Sequence, residues 1–227
     1  ISALKFAFQE NWNFAVLMIL LAAFFDFFDG WFARKLKKSS QFGAELDSLS
    51  DFISFGVAPA LILFFWTTQS IQGIGWATVL FFSTCMALRL ARFNTQLEDP
   101  NPPSFSARFF SGVPAPAAAG LACLPVIVSF ELDLDVIKQP YLISGWLVFI
   151  GLMMVSSIPT FSFKGSKLPR KLVIPLFVIA GLFIACVLTE TWIALAMLIM
   201  AYFFSIPLSF FSYRKLNLRE QIGALEE

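Results

Sequence analysis

The stretch Asp26-Phe27-Phe28-Asp29-Gly30-Trp31-Phe32-Ala33-Arg34, or DFFDGWFAR, ends a long apolar run with two carboxylates and an arginine. A second acidic pair, Asp47 and Asp51, lies in the next apolar run. A carboxylate beside hydrocarbon is costly, so ionisable residues in such segments are candidates for a functional site by default. These four aspartates are therefore the starting point for both the fold and the function.

The rest of the chain is more apolar than a soluble domain. Of its 227 residues, 58% are hydrophobic, whereas soluble domains contain about 45–50% apolar residues. Apolar runs of about 18 residues or more predict transmembrane helices. The sequence therefore predicts an all-α, polytopic membrane helix bundle that forms one domain over residues 1–227. We predict seven transmembrane helices, at residues 12–33, 44–67, 71–93, 112–130, 139–158, 171–189 and 191–212.

The basic residues indicate how these helices are oriented. Of the 16 Lys and Arg residues, all except Lys5 and Lys138 fall on the same side of the predicted topology. The positive-inside rule assigns that side to the cytoplasm. Because the four aspartates lie near the helix ends on this side, the candidate site is expected to face the cytoplasm. The formal net charge is only +1, and no nucleic-acid partner is expected.

The spacing of the aspartates predicts that they meet. Asp26 and Asp29 are three residues apart, and Asp47 and Asp51 are four apart, so each pair shares one helix face. A short basic connection between two antiparallel helices would bring the pairs together. Four carboxylates in so small a space cannot all stay ionised without cations. Oxygen ligands favour a hard divalent ion, namely Mg²⁺, Mn²⁺ or Ca²⁺, and two such ions would suit phosphoryl transfer.

Small residues beside the aspartates extend this pattern. Gly30, Ala33 and Gly43 leave room for a flat group to approach the helix backbones, and Arg34 offers a planar fork suited to phosphate oxygens. Helix caps and close helix packing would explain one such residue alone, but not the whole set. The chain contains no histidine, so a general base must be a carboxylate, lysine, tyrosine or cysteine. The combination favours a metal-bridged diphosphate linked to a nucleoside.

Residues 26–51 form the pattern D-x2-D-G-x2-A-R-x8-G-x3-D-x3-D. This resembles, at every defined position, the signature of the CDP-alcohol phosphotransferases. The resemblance implies an integral-membrane enzyme, usually homodimeric, in which an alcohol displaces CMP from a CDP-linked donor. It implies that Asp51 is the catalytic base and also contacts the metal site. The implied metal ligands are Asp26, Asp29, Asp47 and Asp51, and the implied CDP-binding residues are Asp29, Gly30, Ala33, Arg34 and Gly43.

Four further segments are similar to bacterial and archaeal phosphatidylserine synthases of the membrane type. They are residues 54–60 (SFGVAPA), 87–94 (ALRLARFN), 110–117 (FSGVPAPA) and 155–164 (VSSIPTFSFK). This resemblance implies CDP-diacylglycerol and L-serine as substrates and a prokaryotic inner (cytoplasmic) membrane as the location. The last two predicted helices are generic in sequence.

Four residues in these segments are expected to bind substrate: Arg89, Arg92, Asn94 and Ser111. An arginine fork could hold a phosphate or the serine carboxylate, although arginines at this depth also extend to the interface for solvation alone. Ser111 and Gly112 are expected to open the fourth predicted helix, whose N-terminus could receive an anion.

Several alternatives remain open at this point. The same chemistry could use glycerol 3-phosphate, an inositol compound or choline as the acceptor. From other classes, a cation or lipid transporter or a non-catalytic scaffold would also place acids in a membrane bundle, although transporter sites usually lie near the midplane on broken helices. Family members usually carry one more helix before the first aspartates, and residues 1–11 are too short for it. An eighth, N-terminal helix is therefore expected, and the chain without it is not expected to be active.

Overall fold

The computed structural model describes residues 1–36, 41–97, 109–132, 134–161, 181, 185–187 and 189–226. Helices account for most of this part of the chain. The α-helices are α1 (Ser2–Phe8), α2 (Trp12–Leu36), α3 (Gln41–Asp51), α4 (Ala58–Trp66), α5 (Gln72–Leu97), α6 (Ala115–Ser129), α7 (Pro140–Val155) and α8 (Thr191–Glu226). A π-helical turn (Phe52–Val57) joins α3 to α4, and short 3-10 turns (Thr68–Ile71 and Asp135–Lys138) precede α5 and α7.

The described residues contain four helices that are long and apolar enough to cross a membrane: Trp12–Gly30, Phe42–Trp66, Thr68–Thr95 and Thr191–Phe210. Helices α6 and α7 are apolar but shorter. Large apolar side chains such as Phe24, Leu80 and Phe204 are exposed, as expected of a surface in contact with lipid. The helical membrane class is therefore confirmed. The number seven stays a prediction, and the predicted helix at 171–189 lies almost entirely outside the described residues.

Helix α6 is the centre of the bundle. Most of its side chains are buried, and many of them are small, including Ala118, Ala119, Gly120 and Ala122. Small residues let membrane helices approach closely, so α6 packs against α2, α4, α7 and α8 at once. A helix of 15 residues spans only about 22 Å, less than the hydrocarbon core of about 30 Å. Because other helices surround α6, little of its backbone faces lipid even though the helix is short.

A proline inside α6 is accommodated by a side chain from α7. Pro125 has no N–H group, so the Leu121 carbonyl, four residues earlier, loses its usual helical partner. The indole Nε1–H of Trp146 donates to that carbonyl at 2.8 Å. An unsatisfied carbonyl in an apolar interior is costly, and this bond therefore joins two neighbouring helices where one of them is interrupted.

We expect Trp146→Phe to lower the free energy of unfolding by about 1–3 kcal/mol, because the Leu121 carbonyl would be left buried without a donor. The measurement is the melting temperature in detergent. Trp76→Phe is the matched control, since Trp76 is 48% exposed on α5. Equal melting temperatures for the two variants would show that the bond to Leu121 does not stabilise the bundle.

A two-stranded ribbon interrupts the helical pattern. Strand β1 (Phe109–Ser111) pairs antiparallel with β2 (Pro159–Phe161), and Phe110 lies opposite Thr160. The ribbon joins the segment before α6 to the segment after α7. It was not predicted from the sequence, because six extended residues inside apolar runs give no signal of their own.

The expectation that Ser111 and Gly112 open the fourth helix is wrong. Ser111 ends β1, and α6 begins at Ala115 with Pro114 as its N-cap. Gly112 has a φ of +77°, which a right-handed helix does not allow. The apolar run therefore includes extended residues that hydropathy alone cannot separate from the helix. Pro116 lies in the first turn of α6, where a missing N–H is tolerated.

Candidate functional site

Three of the four aspartates converge where α2 and α3 meet. One carboxylate oxygen from each of Asp26, Asp47 and Asp51 lies within 4.8 Å of the other two. The carboxyl groups of Asp26 and Asp51 also hydrogen-bond to each other. Asp26 and Asp51 are half-buried and Asp47 is exposed, so the cluster is open on one side. We refer to these three residues as the aspartate triad.

Asp29 lies beside the triad and is not a member of it. Its side chain is exposed, about one turn further along α2 than Asp26. It is close enough to act electrostatically on both Asp26 and Asp47. The structure therefore gathers three of the predicted metal ligands and places the fourth at the open edge of the cluster.

The backbone around Asp51 has an unusual form. Asp51 is the last residue of α3, and the π-helical turn starts immediately after it. Such turns are rare and often occur at functional sites. Gly56 within this turn packs closely on α5, since a Cβ atom there would lie 2.8 Å from Met86 Cγ. This contact fixes the turn, and with it the end of α3, against α5.

Asn94 holds α5 to α3 next to the triad. Its Nδ2–H donates to Ser48 Oγ at 3.0 Å, and Ser48 Oγ lies 3.3 Å from Asn94 Oδ1. Ser48 directly follows Asp47 in the chain. The substrate-binding role predicted for Asn94 stays a prediction, and the structure shows its amide bonded to the residue next to Asp47. Ser48 was missed from the sequence, because a serine among polar helix residues carries no signal.

Arg89 lies between the triad and the start of α6. Its Nε–H donates to the Val113 carbonyl at 2.7 Å. The guanidinium group is also an electrostatic neighbour of Asp51 and Asp26. Nε faces the backbone in this arrangement, so the bond to Val113 does not use the two terminal amino groups. Arg89 can therefore satisfy a carbonyl and still present positive charge at the site.

Arg92, on α5, bonds to the backbone at the end of α7. Its Nη1–H donates to the Val155 carbonyl at 2.8 Å and lies 3.5 Å from the Ser156 carbonyl. Val155 ends α7, and the last carbonyls of a helix have no partner inside it. In a membrane such groups must be satisfied by other protein groups. Arg92 thus supplies a donor that the carbonyl end of α7 needs, and Arg89 supplies one to the backbone just before α6.

The remaining predicted residues are placed less completely. Gly30 is half-buried on α2, and Gly43 is exposed near the start of α3. Ala33 and Arg34 lie on α2, and Ser111 lies in β1, but their side chains fall outside the described part of the structure. Their predicted roles toward CDP and substrate stay predictions.

The donor set fits a divalent cation. All the triad ligands are carboxylate oxygens, which Mg²⁺, Mn²⁺ and Ca²⁺ prefer. Two oxygens bound to one Mg²⁺ lie at most about 4 Å apart, close to the 4.8 Å limit within which the triad oxygens lie. Carboxylates this close must share a proton or a cation. The site therefore suits one or two cations that would in turn attract a phosphate-bearing ligand.

The sequence matches known protein families over most of its length. Residues 1–158 match the family model described as CDP-alcohol phosphatidyltransferase, and residues 171–207 match the one described as CDP-alcohol phosphatidyltransferase 2. Several similar curated proteins are named CDP-diacylglycerol–serine O-phosphatidyltransferase. The protein of Mycobacterium tuberculosis (strain H37Rv) is 32% identical over 214 residues, which cover 94% of this chain and 74% of that protein.

Two of the other relatives cover less of the chain at higher identity. The Helicobacter pylori (strain J99) protein is 36% identical over 168 residues, covering 74% of this chain and 69% of that protein. The Bacillus subtilis protein is 37% identical over 155 residues, covering 68% of this chain and 78% of that protein. The first family match covers residues 1–158 and includes the whole aspartate motif. With the triad assembled as the motif requires, the chain belongs to the CDP-alcohol phosphatidyltransferase family.

Proposed function

We propose that this protein transfers the phosphatidyl group of CDP-diacylglycerol to the hydroxyl group of L-serine, giving phosphatidylserine and CMP. The observation that carries the proposal is the aspartate triad, built by a family motif from the end of the apolar span in α2 and from α3. The choice of serine is supported by the names of the relatives, each of which is similar to this chain over most of its length.

The reaction is a displacement at phosphorus. The serine hydroxyl oxygen forms a bond to the phosphorus that carries diacylglycerol, and the bond from that phosphorus to the bridging oxygen of the diphosphate breaks. CMP leaves with the bridging oxygen, and the hydroxyl proton passes to Asp51. Asp51 suits this role because it is half-buried, lies in the triad and belongs to a chain without histidine. In such reactions a protein acts mainly by positioning groups and stabilising charge.

We assign the metal to Asp26, Asp29, Asp47 and Asp51. When bound, Mg²⁺ or Mn²⁺ would neutralise the diphosphate and make CMP a better leaving group. The CDP group would lie along Asp29, Gly30, Ala33, Arg34 and Gly43, where small residues permit close approach to the backbone. Ser111, at the end of β1, stays a proposed substrate contact.

The arginines favour serine over a phosphorylated acceptor. A phosphate-bearing alcohol needs a basic cluster of its own near Asp51, and Arg89 and Arg92 are candidates for it. Both donate to backbone carbonyls, so fewer of their N–H groups are free to bind the phosphate of an acceptor. One guanidinium beside the triad is enough for the single carboxylate of serine. Arg89 is therefore the proposed acceptor contact, while Arg92 and Asn94 hold the site together.

We also propose that the site faces the cytoplasm of a prokaryotic inner membrane and that the protein is a homodimer. The distribution of basic residues supports the orientation. The dimer is supported by the family resemblance alone. At the cytoplasmic surface of the membrane, the lipid donor and the water-soluble acceptor can reach the same carboxylates.

The proposal is tested by CMP release from CDP-diacylglycerol in mixed micelles. L-serine, glycerol 3-phosphate, inositol and choline are compared at equal concentration with Mg²⁺ or Mn²⁺. We expect release with serine to exceed release with each other alcohol at least about tenfold, since a site built for one polar group rejects analogues lacking it. We also expect a chelator to abolish release. Release with another alcohol but none with serine would show that serine is not the acceptor, and it would leave the family assignment unchanged.

A further inference from the structure

Helix α3 carries two of the three triad aspartates, yet most of it is exposed. Of its side chains from Phe42 to Asp51, only those of Ser48 and Asp51 are half-buried, and the others are exposed. The exposed ones include large apolar side chains, such as those of Phe42 and Leu49. Among the described residues, α3 packs mainly on the π-helical turn that continues it. Burial of an apolar face therefore does not hold this helix in place.

The triad itself does not hold α3 in place either. The carboxylates of Asp47 and Asp51 on α3 lie within 4.8 Å of that of Asp26 on α2. Like charges this close repel one another until a cation or a shared proton intervenes. Because α3 supplies two of the ligands and α2 supplies one, a movement of α3 away from α2 would open the cation site. A contact from outside the triad is needed to keep the three carboxylates together.

Ser48 and Asn94 make such a contact between α3 and α5. Asn94 Nδ2–H donates to Ser48 Oγ at 3.0 Å, and the Ser48 hydroxyl donates to Asn94 Oδ1 at 3.3 Å. An amide side chain offers both a donor and an acceptor, and here both are directed at one hydroxyl. Both residues are half-buried, so water competes less for these groups than it does at an exposed position. The pair therefore fixes Ser48, and with it the adjoining Asp47.

The part of α5 that carries Asn94 is well anchored in the bundle. Leu90, about one helical turn before Asn94, is buried in the core. Arg92 bonds from the same part of α5 to the Val155 carbonyl at the end of α7, and α5 packs along α7. The contact between Ser48 and Asn94 thus joins an exposed helix to a fixed one.

We propose that the Ser48–Asn94 pair positions α3 so that Asp47 and Asp51 stay beside Asp26, and that the pair thereby sets the affinity of the site for a divalent cation. This inference rests on the proposed function, in which these aspartates bind Mg²⁺ or Mn²⁺. Ser48 and Asn94 are positioning residues, since they act on the cation only through the placement of α3. Groups outside the ligand set that orient metal ligands are known to affect metal affinity strongly.

The test is Mn²⁺ binding to the purified protein without substrates, followed by the electron paramagnetic resonance signal of free Mn²⁺. Ser48→Ala removes only the hydroxyl oxygen, and we expect it to raise the Kd about fivefold, the order expected for one lost hydrogen bond. Ser50→Ala is the matched control, because it makes the same change beside Asp51 at an exposed position of α3. It should keep the wild-type Kd, and equal Kd values for the two variants would overturn the inference.

A double-mutant cycle tests whether Ser48 acts through Asn94. Asn94→Ala should raise the Kd for Mn²⁺ as Ser48→Ala does, and the double variant should bind Mn²⁺ no more weakly than either single one, since each change removes the same contact. Additive increases in the Kd would contradict the proposal. In CMP release, Ser48→Ala should raise the Mn²⁺ concentration that gives half the maximal rate and should keep the wild-type kcat at saturating Mn²⁺. A lower kcat with an unchanged Mn²⁺ requirement would also contradict it.

The outcomes separate this inference from the proposed function. If the wild type released no CMP with serine, the proposed function would be wrong, and the Mn²⁺ titrations would still decide on the pair. If Asn94→Ala raised the KM for serine and left the Kd for Mn²⁺ unchanged, Asn94 would be a substrate contact and the inference would be wrong. If the wild type bound no Mn²⁺, the cation assignment and the inference would both be wrong.

Discussion

Asp51→Asn is expected to lower the kcat of serine-dependent CMP release by roughly 10²–10⁴-fold, the usual contribution of a general base. Asparagine keeps the size of the side chain but cannot accept the hydroxyl proton. The family motif assigns the base to Asp51, and the structure places this residue half-buried within the triad. The measurement is CMP release at saturating CDP-diacylglycerol, serine and Mn²⁺.

Two comparisons make this result specific. Glu45→Gln is the same acid-to-amide change at an exposed position on α3, and it should retain the wild-type kcat. Titrating Mn²⁺ separates the two roles proposed for Asp51. If excess Mn²⁺ restored the rate of Asp51→Asn, the residue would be a metal ligand and not the base. An unchanged kcat at the Mn²⁺ concentration that saturates the wild type would remove Asp51 from both roles.

Gly112→Ala is expected to have the largest effect on stability, a loss of about 3 kcal/mol or more in the free energy of unfolding. The φ of Gly112 is +77°, where residues with a side chain are strained. A Cβ atom there would lie 2.5 Å from the Met154 carbonyl oxygen and 3.0 Å from that of Ser156. Both obstacles are backbone atoms and cannot move aside cheaply. The melting temperature in detergent measures the loss.

The same substitution should also lower kcat/KM, because Gly112 is next to Val113, whose carbonyl holds Arg89. Gly145→Ala is the control, since among the described residues nothing outside its own turn of α7 lies within 4 Å of the added Cβ. That change should keep or slightly raise the melting temperature, as alanine favours a helix over glycine. If both variants melted at the same temperature, the close packing at Gly112 would be of no consequence.

The convergence of the aspartates could be predicted because it depends on local rules. Helical spacing puts Asp47 and Asp51 on one face, and a short connection makes the helices antiparallel, so Asp26 must lie near them. Each step uses sequence separation alone. The metal and CDP contacts assigned to Asp29, Gly30 and Arg34 come from the same motif and stay predictions.

The contacts that hold the site could not be predicted, because they join a side chain to a distant backbone carbonyl. Arg89 and Arg92 were expected to meet anions, yet Arg89 also bonds to a carbonyl just before α6, and Arg92 bonds to one at the end of α7. Every residue has a backbone carbonyl, so the sequence does not indicate which carbonyl accepts the hydrogen bond. The start of α6 was misplaced for a related reason, since Gly112 and Val113 are apolar whether helical or extended.

The π-helical turn at Phe52–Val57 affects the direction of the residues on either side of it. An α-helix turns by about 100° per residue, so one residue more or fewer in this turn would rotate α3 relative to α4 by that angle. Either the aspartates would turn away from α2, or the buried face of α4, which includes Ile62 and Leu63, would turn out of the core. The π-helical turn lets the aspartates face α2 while the buried face of α4 stays in the core, which one regular α-helix would not allow. A change in the length of this segment is therefore expected to disturb the site even if every remaining residue is kept.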